Sequence, residues 1–248
     1  LNPTACSNIN ESGTQYMNAG ALALIPATNV GTWQANFALA EVKSTEDVVW
    51  DVVTSPNPTD VATHDVVFNI LGDDTNDFVA SIGEGKGFTF TESDVTLSTT
   101  YNTYTINDVT YTPQDVHGTH TTTFTLSRAE VEGAEASTKT ITLTATEDLT
   151  PSFTLENGDF GSGTLGQATI IDITPANKNK VAQVQDPAKL TWEASLSENA
   201  PFEIVSVGED GTCQVRYFRT ESGDKLAILT LTATYTDSKE TEILCSKT

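Results

Sequence analysis

A chain of 248 residues, 38% apolar and 8% aromatic, is too apolar to be disordered and long enough for one large domain or two ordinary ones. Its net charge of −22 excludes nucleic acid as an ordinary partner, because phosphate binding needs clustered Lys and Arg, and disfavours anionic membrane surfaces. No apolar run approaches the roughly 20 residues of a membrane span, so membrane insertion is not expected.

Residues 1–19 form a polar, turn-rich arm (Asn2-Pro3, Ser7-Asn8, Glu11-Ser12-Gly13) with no apolar period to bury a face of its own. Fixing each backbone unit costs roughly 1–2 kcal/mol, so order in such a segment has to be offset by contacts elsewhere. The arm, with its junction at Tyr16 and Met17, is expected on a neighbouring subunit, the alternative being that it folds back on its own first domain. Asn10-Glu11-Ser12 also matches an N-glycosylation acceptor.

Strand-like runs follow at Ala21–Ile25, Trp33–Val42, Val48–Val53, Val66–Leu71, Phe88–Phe90, Asp94–Leu97, Tyr104–Tyr111, His120–Leu126 and Thr138–Thr146. Period-2 alternation is plain in Thr121-Thr122-Thr123-Phe124-Thr125-Leu126 and in Thr140-Ile141-Thr142-Leu143-Thr144. Asp148-Leu149-Thr150-Pro151-Ser152 reads as a linker. Beyond it come Phe153–Leu155, Gln167–Thr174, Lys189–Ala194, Phe202–Val207, Thr212–Phe218, Leu226–Tyr235 and Lys239–Cys245. Short strands at this spacing, with no capped helical period between them, predict antiparallel sandwiches. The charge is uneven, −16 over residues 1–150 and −6 beyond, and suits a solvated acidic surface of an extracellular or virion protein.

The two halves read as copies of one unit. Trp50-Asp51 aligns with Trp192-Glu193, Phe78 with Phe202, Tyr111 with Tyr217, and Gly118 with Gly223. Trp-to-Phe spacing is 28 residues in the first copy and 10 in the second, which places insertions in the first. The expected organisation is an arm over 1–19, one sandwich over 20–148 and a second over 149–248.

Candidate chemistry is sparse. Gly161-Ser162-Gly163-Thr164-Leu165-Gly166 matches G-x-G-x-x-G, but it precedes the strand Ala168–Ile171 rather than a helix, so no dinucleotide site is expected. His117 and His120 read as surface turn residues, since i and i+3 on a strand face opposite ways. Asp73, Asp74 and Asp77 are calcium-type oxygen ligands in a turn, without the glycine and distal Glu of an EF-hand, and calcium is the one candidate cofactor. No Ser/His/Asp trio, G-x-S-x-G or H-E-x-x-H is present, and no catalytic residues are expected. Cys213 and Cys245 share the buried phase of their strands and are the disulfide candidate, the alternative being two buried free thiols, with Cys6 left over. Trp33 is the candidate exposed aromatic for a sugar-binding surface.

Val109-Thr110-Tyr111-Thr112-Pro113, Gly118-Thr119-His120, Phe124-Thr125-Leu126 and Ile141-Thr142-Leu143-Thr144-Ala145 together resemble the immunoglobulin-like ASH/Hydin domain, a relative of major-sperm-protein sandwiches. Phe160-Gly161-Ser162-Gly163-Thr164-Leu165-Gly166 looks like the same family's first turn, opening a second copy. The resemblance covers about 21–147 and 151–248 and implies adhesion, spacing or assembly without catalytic residues. Arg219 stands near the place of Pro113 in the first copy, and the insertions depart from the minimal pattern. The expectation is therefore all-β: two tandem immunoglobulin-like antiparallel β-sandwiches with an extended N-terminal arm. Such a chain would serve as a non-enzymatic structural subunit of a cell-surface filament or virion, partnered by copies of itself or other structural subunits. The alternative is a carbohydrate- or host-binding adhesin module.

Overall fold

The computed structural model describes residues 41–71, 78–91, 95–98, 103–130, 136–198 and 201–248. Nine strands belong to the first half: β1 (Glu41–Ser44), β2 (Val48–Val49), β3 (Ala62–Leu71), β4 (Val79–Ile82), β5 (Phe88–Thr89), β6 (Val95–Ser98), β7 (Thr103–Tyr111), β8 (Gly118–Arg128) and β9 (Ser137–Glu147). One sheet runs β1-β3-β7-β5 with β6 also on β7, and the other runs β2-β9-β8-β4. β1 with β3, β4 with β8, and β5 and β6 with β7 pair antiparallel, whereas β2 lies parallel to β9 with Val48 opposite Leu143. Val66, Phe68 and Ile70 of β3 alternate inward, as Phe124 and Leu126 of β8 do, and the Phe68 and Phe124 rings lie 6.1 Å apart. The buried phase of β7 slips from Tyr104 and Ile106 to Val109 and Tyr111. The slip falls at Asp108, whose φ of 51° puts it in the left-handed region that Asp tolerates better than most residues.

The second half has β10 (Ala168–Ile173), β11 (Leu190–Leu196), β12 (Phe202–Val207), β13 (Cys213–Phe218), β14 (Leu229–Thr236) and β15 (Glu242–Lys247), with a 3-10 turn at Val181–Gln183. The sheets are β10-β13-β12 and β11-β14-β15, all antiparallel. With Phe153–Leu155 lettered as strand A, this is the B-E-D and C-F-G connectivity of an immunoglobulin domain. Trp192 sits on the C strand, where that fold keeps a buried tryptophan. Its ring meets Phe153 edge-on at 5.0 Å, and Val215, Leu231, Ala233 and Tyr235 complete a core drawn from both sheets. The first half shows the same letters, β3 as B, β4 as C, β5 and β6 as D, β7 as E, β8 as F and β9 as G.

This connectivity corrects the repeat alignment. Tyr111 and Tyr217 both lie near the ends of E strands; Gly118 opens F in the first half and Gly223 precedes F in the second. Trp50, however, follows β2 and donates its backbone N–H to Thr144 of β9 at 2.8 Å, whereas Trp192 belongs to the C strand. Both indoles are buried, but they are not equivalent. Phe78 likewise precedes the C strand, while Phe202 opens D.

By proximity the described residues form two compact units, one within 41–50, 63–111 and 121–144, the other within 51–62, 112–120 and 145–248.

Candidate functional site

In the second unit the turn 112–120 is held by charged groups far away in sequence. Glu147, 0% exposed, accepts the backbone N–H groups of Gln114 at 2.5 Å and Val116 at 3.1 Å. Asp115, with φ of 54°, accepts the Tyr235 hydroxyl at 2.6 Å on one oxygen, and Lys189 Nζ at 2.8 Å and the Ser238 hydroxyl at 2.5 Å on the other. Asp237 receives the His117 N–H at 3.0 Å, while the Leu149 N–H donates to His117 Nδ1 at 3.1 Å. His120, only 12% exposed, sets Nε2 2.8 Å from the Val116 carbonyl and 3.8 Å from Glu147. The expectation of surface turn histidines holds for the exposed His117, which nonetheless accepts the Leu149 N–H, while His120 is largely buried against Val116 and Glu147. Burial and the Asp115 carboxylate push the Tyr235 phenol well above its ordinary range, so it serves as a fixed donor and not as an acid. Lys180 and Ser55 meet on Asp60 at 2.8 and 2.5 Å, tying 51–62 into the same unit.

This clamp on the turn has a pH signature. Burial alone would raise the Asp237 carboxyl, but the N–H groups of Thr241, His117 and Lys239 together hold it below the usual carboxylate value. A bond from Thr150 does the same for Asp148, and the Thr212 N–H for Asp210. A depressed native pKa gives stability that is complete above the unfolded value and is lost as pH falls through the folded one. Unfolding free energy is therefore expected to drop on acidification below about pH 4. In an Asp237→Asn variant that drop should be smaller; equal slopes in urea titrations across pH 2–5 would contradict the assignment.

The second feature is a cleft of ≈ 730 Å³ in the second sandwich. Phe160, Phe202 and Tyr217 form its aromatic side, their ring centroids 4.7–5.9 Å apart. Arg219 lies over Tyr217 at 5.2 Å and donates to the Gly161 carbonyl at 2.8 Å, fixing the G-x-G-x-x-G loop as a structural turn. The A segment packs closely on β10 at Gly158, where a Cβ would lie 2.7 Å from Ile171 Cδ1 and 3.0 Å from Ile173 Cδ1. Leu226 and Ile228, 93% and 61% exposed, stand at the other wall near Thr248. Glu156, Asp159 and Asp224 add acidic groups to the lining.

Cys213 and Cys245 do not form the expected disulfide: both are free thiols, the first buried and the second partly so. The strand phases were read correctly, since both face the same core. Cys213 is on the middle strand of one sheet and Cys245 on the edge strand of the other. A lateral offset of about 4.8 Å is thereby added to a sheet separation of about 10 Å. A disulfide needs Cα atoms within about 7 Å. Burial pushes the Cys213 thiol upward, leaving a small hydrophobe. The calcium candidates Asp73, Asp74 and Asp77, the aromatic candidate Trp33, Cys6 and the arm 1–19 lie outside the described residues. Among the described residues no three His, Cys, Asp or Glu side chains are placed to hold a metal ion, and no helix is long and apolar enough to cross a membrane.

The fold defines a tandem immunoglobulin-like β-sandwich protein. No protein-family model and no curated protein matches the chain. Among solved structures it is similar to mouse clustered PcdhgC3 EC1-3, with 9% identity over 84% of this chain and 66% of that one, at a TM-score of 0.35. The human desmocollin-1 ectodomain gives 12% identity over 84% and 40%, at 0.31. A tandem pair of titin Ig domains gives 10% over 84% and 93%, at 0.28. The chain thus spans less than two thirds of the first two of these structures, and the immunoglobulin-like class rests on the strand connectivity described above.

Proposed function

We propose that this chain is a non-enzymatic structural subunit of an extracellular assembly, a cell-surface filament or alternatively a virion, joined copy to copy through its N-terminal arm. The organisation proposed is an arm over 1–19 and sandwiches of ASH/Hydin type over 20–148 and 149–248. The observation that carries the reading is the clamp on 112–120. Glu147, Asp237 and His117 accept backbone N–H groups, while Asp115 and Lys189 are tied to each other and to Tyr235 and Ser238, a geometry that suits rigidity. An acidic surface keeps such subunits soluble and selective about contacts. Removing residues 1–25, the arm with the Ala21–Ile25 run that it leads into, tests the reading. The truncated protein is expected to keep its near-UV circular dichroism and to lose concentration-dependent growth in light scattering. Unchanged assembly would remove the arm from the mechanism.

A further inference from the structure

The sheet edges of the second sandwich are not alike. β10 is flanked by the A segment, which bonds just beyond it through Thr154 and Ala176. β12 shifts register between Ile204 and Ser206, an irregularity of the kind that blunts an edge. The stretch around β11 is acidic, with Asp186, Glu193 and Glu198 against Lys189. β15 carries none of these guards. It has no proline, its register with β14 runs unbroken from Glu242 to Lys247, and among the described residues no strand pairs with its outer side. Over 239–248 the charges of Lys239, Glu240, Glu242 and Lys247 cancel, in a chain of net charge −22. An edge left in this condition is a template for another strand, because its outer N–H and C=O groups lack partners.

The residues that present those groups follow from the ladder. Asp237 donates its N–H to the Thr241 carbonyl at 3.0 Å. Bonded pairs alternate along an antiparallel ladder, so they recur at Tyr235 with Ile243, Ala233 with Cys245 and Leu231 with Lys247. Glu242, Leu244 and Ser246 therefore turn their N–H and C=O groups outward. The side chains at the same three positions are exposed, Leu244 at 58%. We infer that β15 pairs with β15 of a second copy, antiparallel and centred on Leu244. Leu244 then faces its own symmetry mate, and Glu242 faces Ser246 of the other copy. A twofold axis normal to the sheet permits this register, since each bonded pair joins two outward-turned residues whose side chains share a face. Charge selects the direction. Antiparallel pairing sets the Glu242 end of each strand beside the Lys247 end of the other, whereas a parallel copy in register would set like charges together. The two exposed Leu244 side chains cover one another. This contact is isologous and closes as a dimer, and it makes no use of the arm, so it goes beyond the assembly proposed above.

The test uses the full-length chain carrying Cys6→Ser and Cys245→Ser, with the buried Cys213 kept, and adds one surface cysteine at a time. Under copper-phenanthroline oxidation in air, Leu244→Cys is expected to form a covalent dimer by itself. Residues in a bonded pair have Cα atoms about 5.5 Å apart, within disulfide reach. Glu242→Cys and Ser246→Cys should not link alone and should link when mixed. Leu244→Pro, added to both chains of that mixture, removes a donor that points outward and spares the ladder with β14. Near-UV circular dichroism should be unchanged by it, and the mixed link should fall roughly tenfold or more. A Leu244→Cys chain that links no better than Ser246→Cys alone would overturn the pairing. Preferential linking of Leu244→Cys to Ser246→Cys would overturn the register, and a mixed link that survives Leu244→Pro in a folded chain would overturn backbone pairing as its cause. Since the arm plays no part, each of these failures leaves arm-mediated assembly to its own test.

Discussion

Glu147→Ala is expected to cost about 3–5 kcal/mol of stability. Its carboxylate is fully buried and accepts two backbone N–H groups of the clamped turn, from Gln114 and Val116. Alanine leaves both donors without that acceptor and a gap where the buried side chain stood; each unpaired donor costs about 1–3 kcal/mol where water does not replace the acceptor, and the gap adds to it. Glu147→Gln keeps one acceptor oxygen and is expected to lose about half as much. Urea unfolding followed by tryptophan fluorescence measures both. A loss below about 1 kcal/mol for the alanine variant would mean that the turn is held without Glu147.

Gly211→Ala should be the next most damaging single change, at about 3–4 kcal/mol. Gly211 closes the turn between β12 and β13 at φ 82°, donating to the Gly208 carbonyl at 2.9 Å. A Cβ there would lie 2.7 and 2.8 Å from the Trp192 ring and 2.9 Å from Pro175. Backbone strain contributes about 1–2 kcal/mol, and the rest comes from displacing an indole at the centre of the core. Gly223→Ala separates the two contributions, because its φ is 101° and a Cβ there meets nothing within 4 Å. The Gly211 variant should melt well below the Gly223 variant and shift tryptophan emission; equal melting temperatures would leave strain as the whole effect.

Much of the strand pattern was legible because burial alternates with the residues themselves. Ile141, Leu143 and Ala145 are buried between partly exposed threonines, as their spacing says. Cys213 and Cys245 were placed on the right face for the same reason. Phase reports a face and not a partner, so the disulfide did not follow. Trp50 and Trp192 were equated because each is a tryptophan before an acid in a strand-like run, and nothing local distinguishes a parallel edge strand from an antiparallel C strand. The clamp was missed because its partners lie 120 residues apart, Asp115 with Tyr235 and His117 with Asp237. A faint local signal existed in Asp237-Ser238-Lys239-Glu240-Thr241, where an Asp side chain can take the N–H groups that follow it, as Asp237 does from Lys239 and Thr241 at 2.8 Å. The cleft had no such signal, since its lining is drawn from the A segment, both sheets and the stretch 223–229, which only the fold brings together.

The parallel lie of β2 against β9 also decides how the first sandwich bears load. Tension applied through the chain before Val48 and after Asp148 drags these two strands past each other in opposite senses. The bonds from Trp50 to Thr144, from Val53 to Thr146 and from Asp148 to Val53 then stretch side by side, and none can be unzipped ahead of the others. Under shear of this kind the strand pair yields as a set, which makes the first sandwich a stiff link in any chain of copies that is pulled end to end.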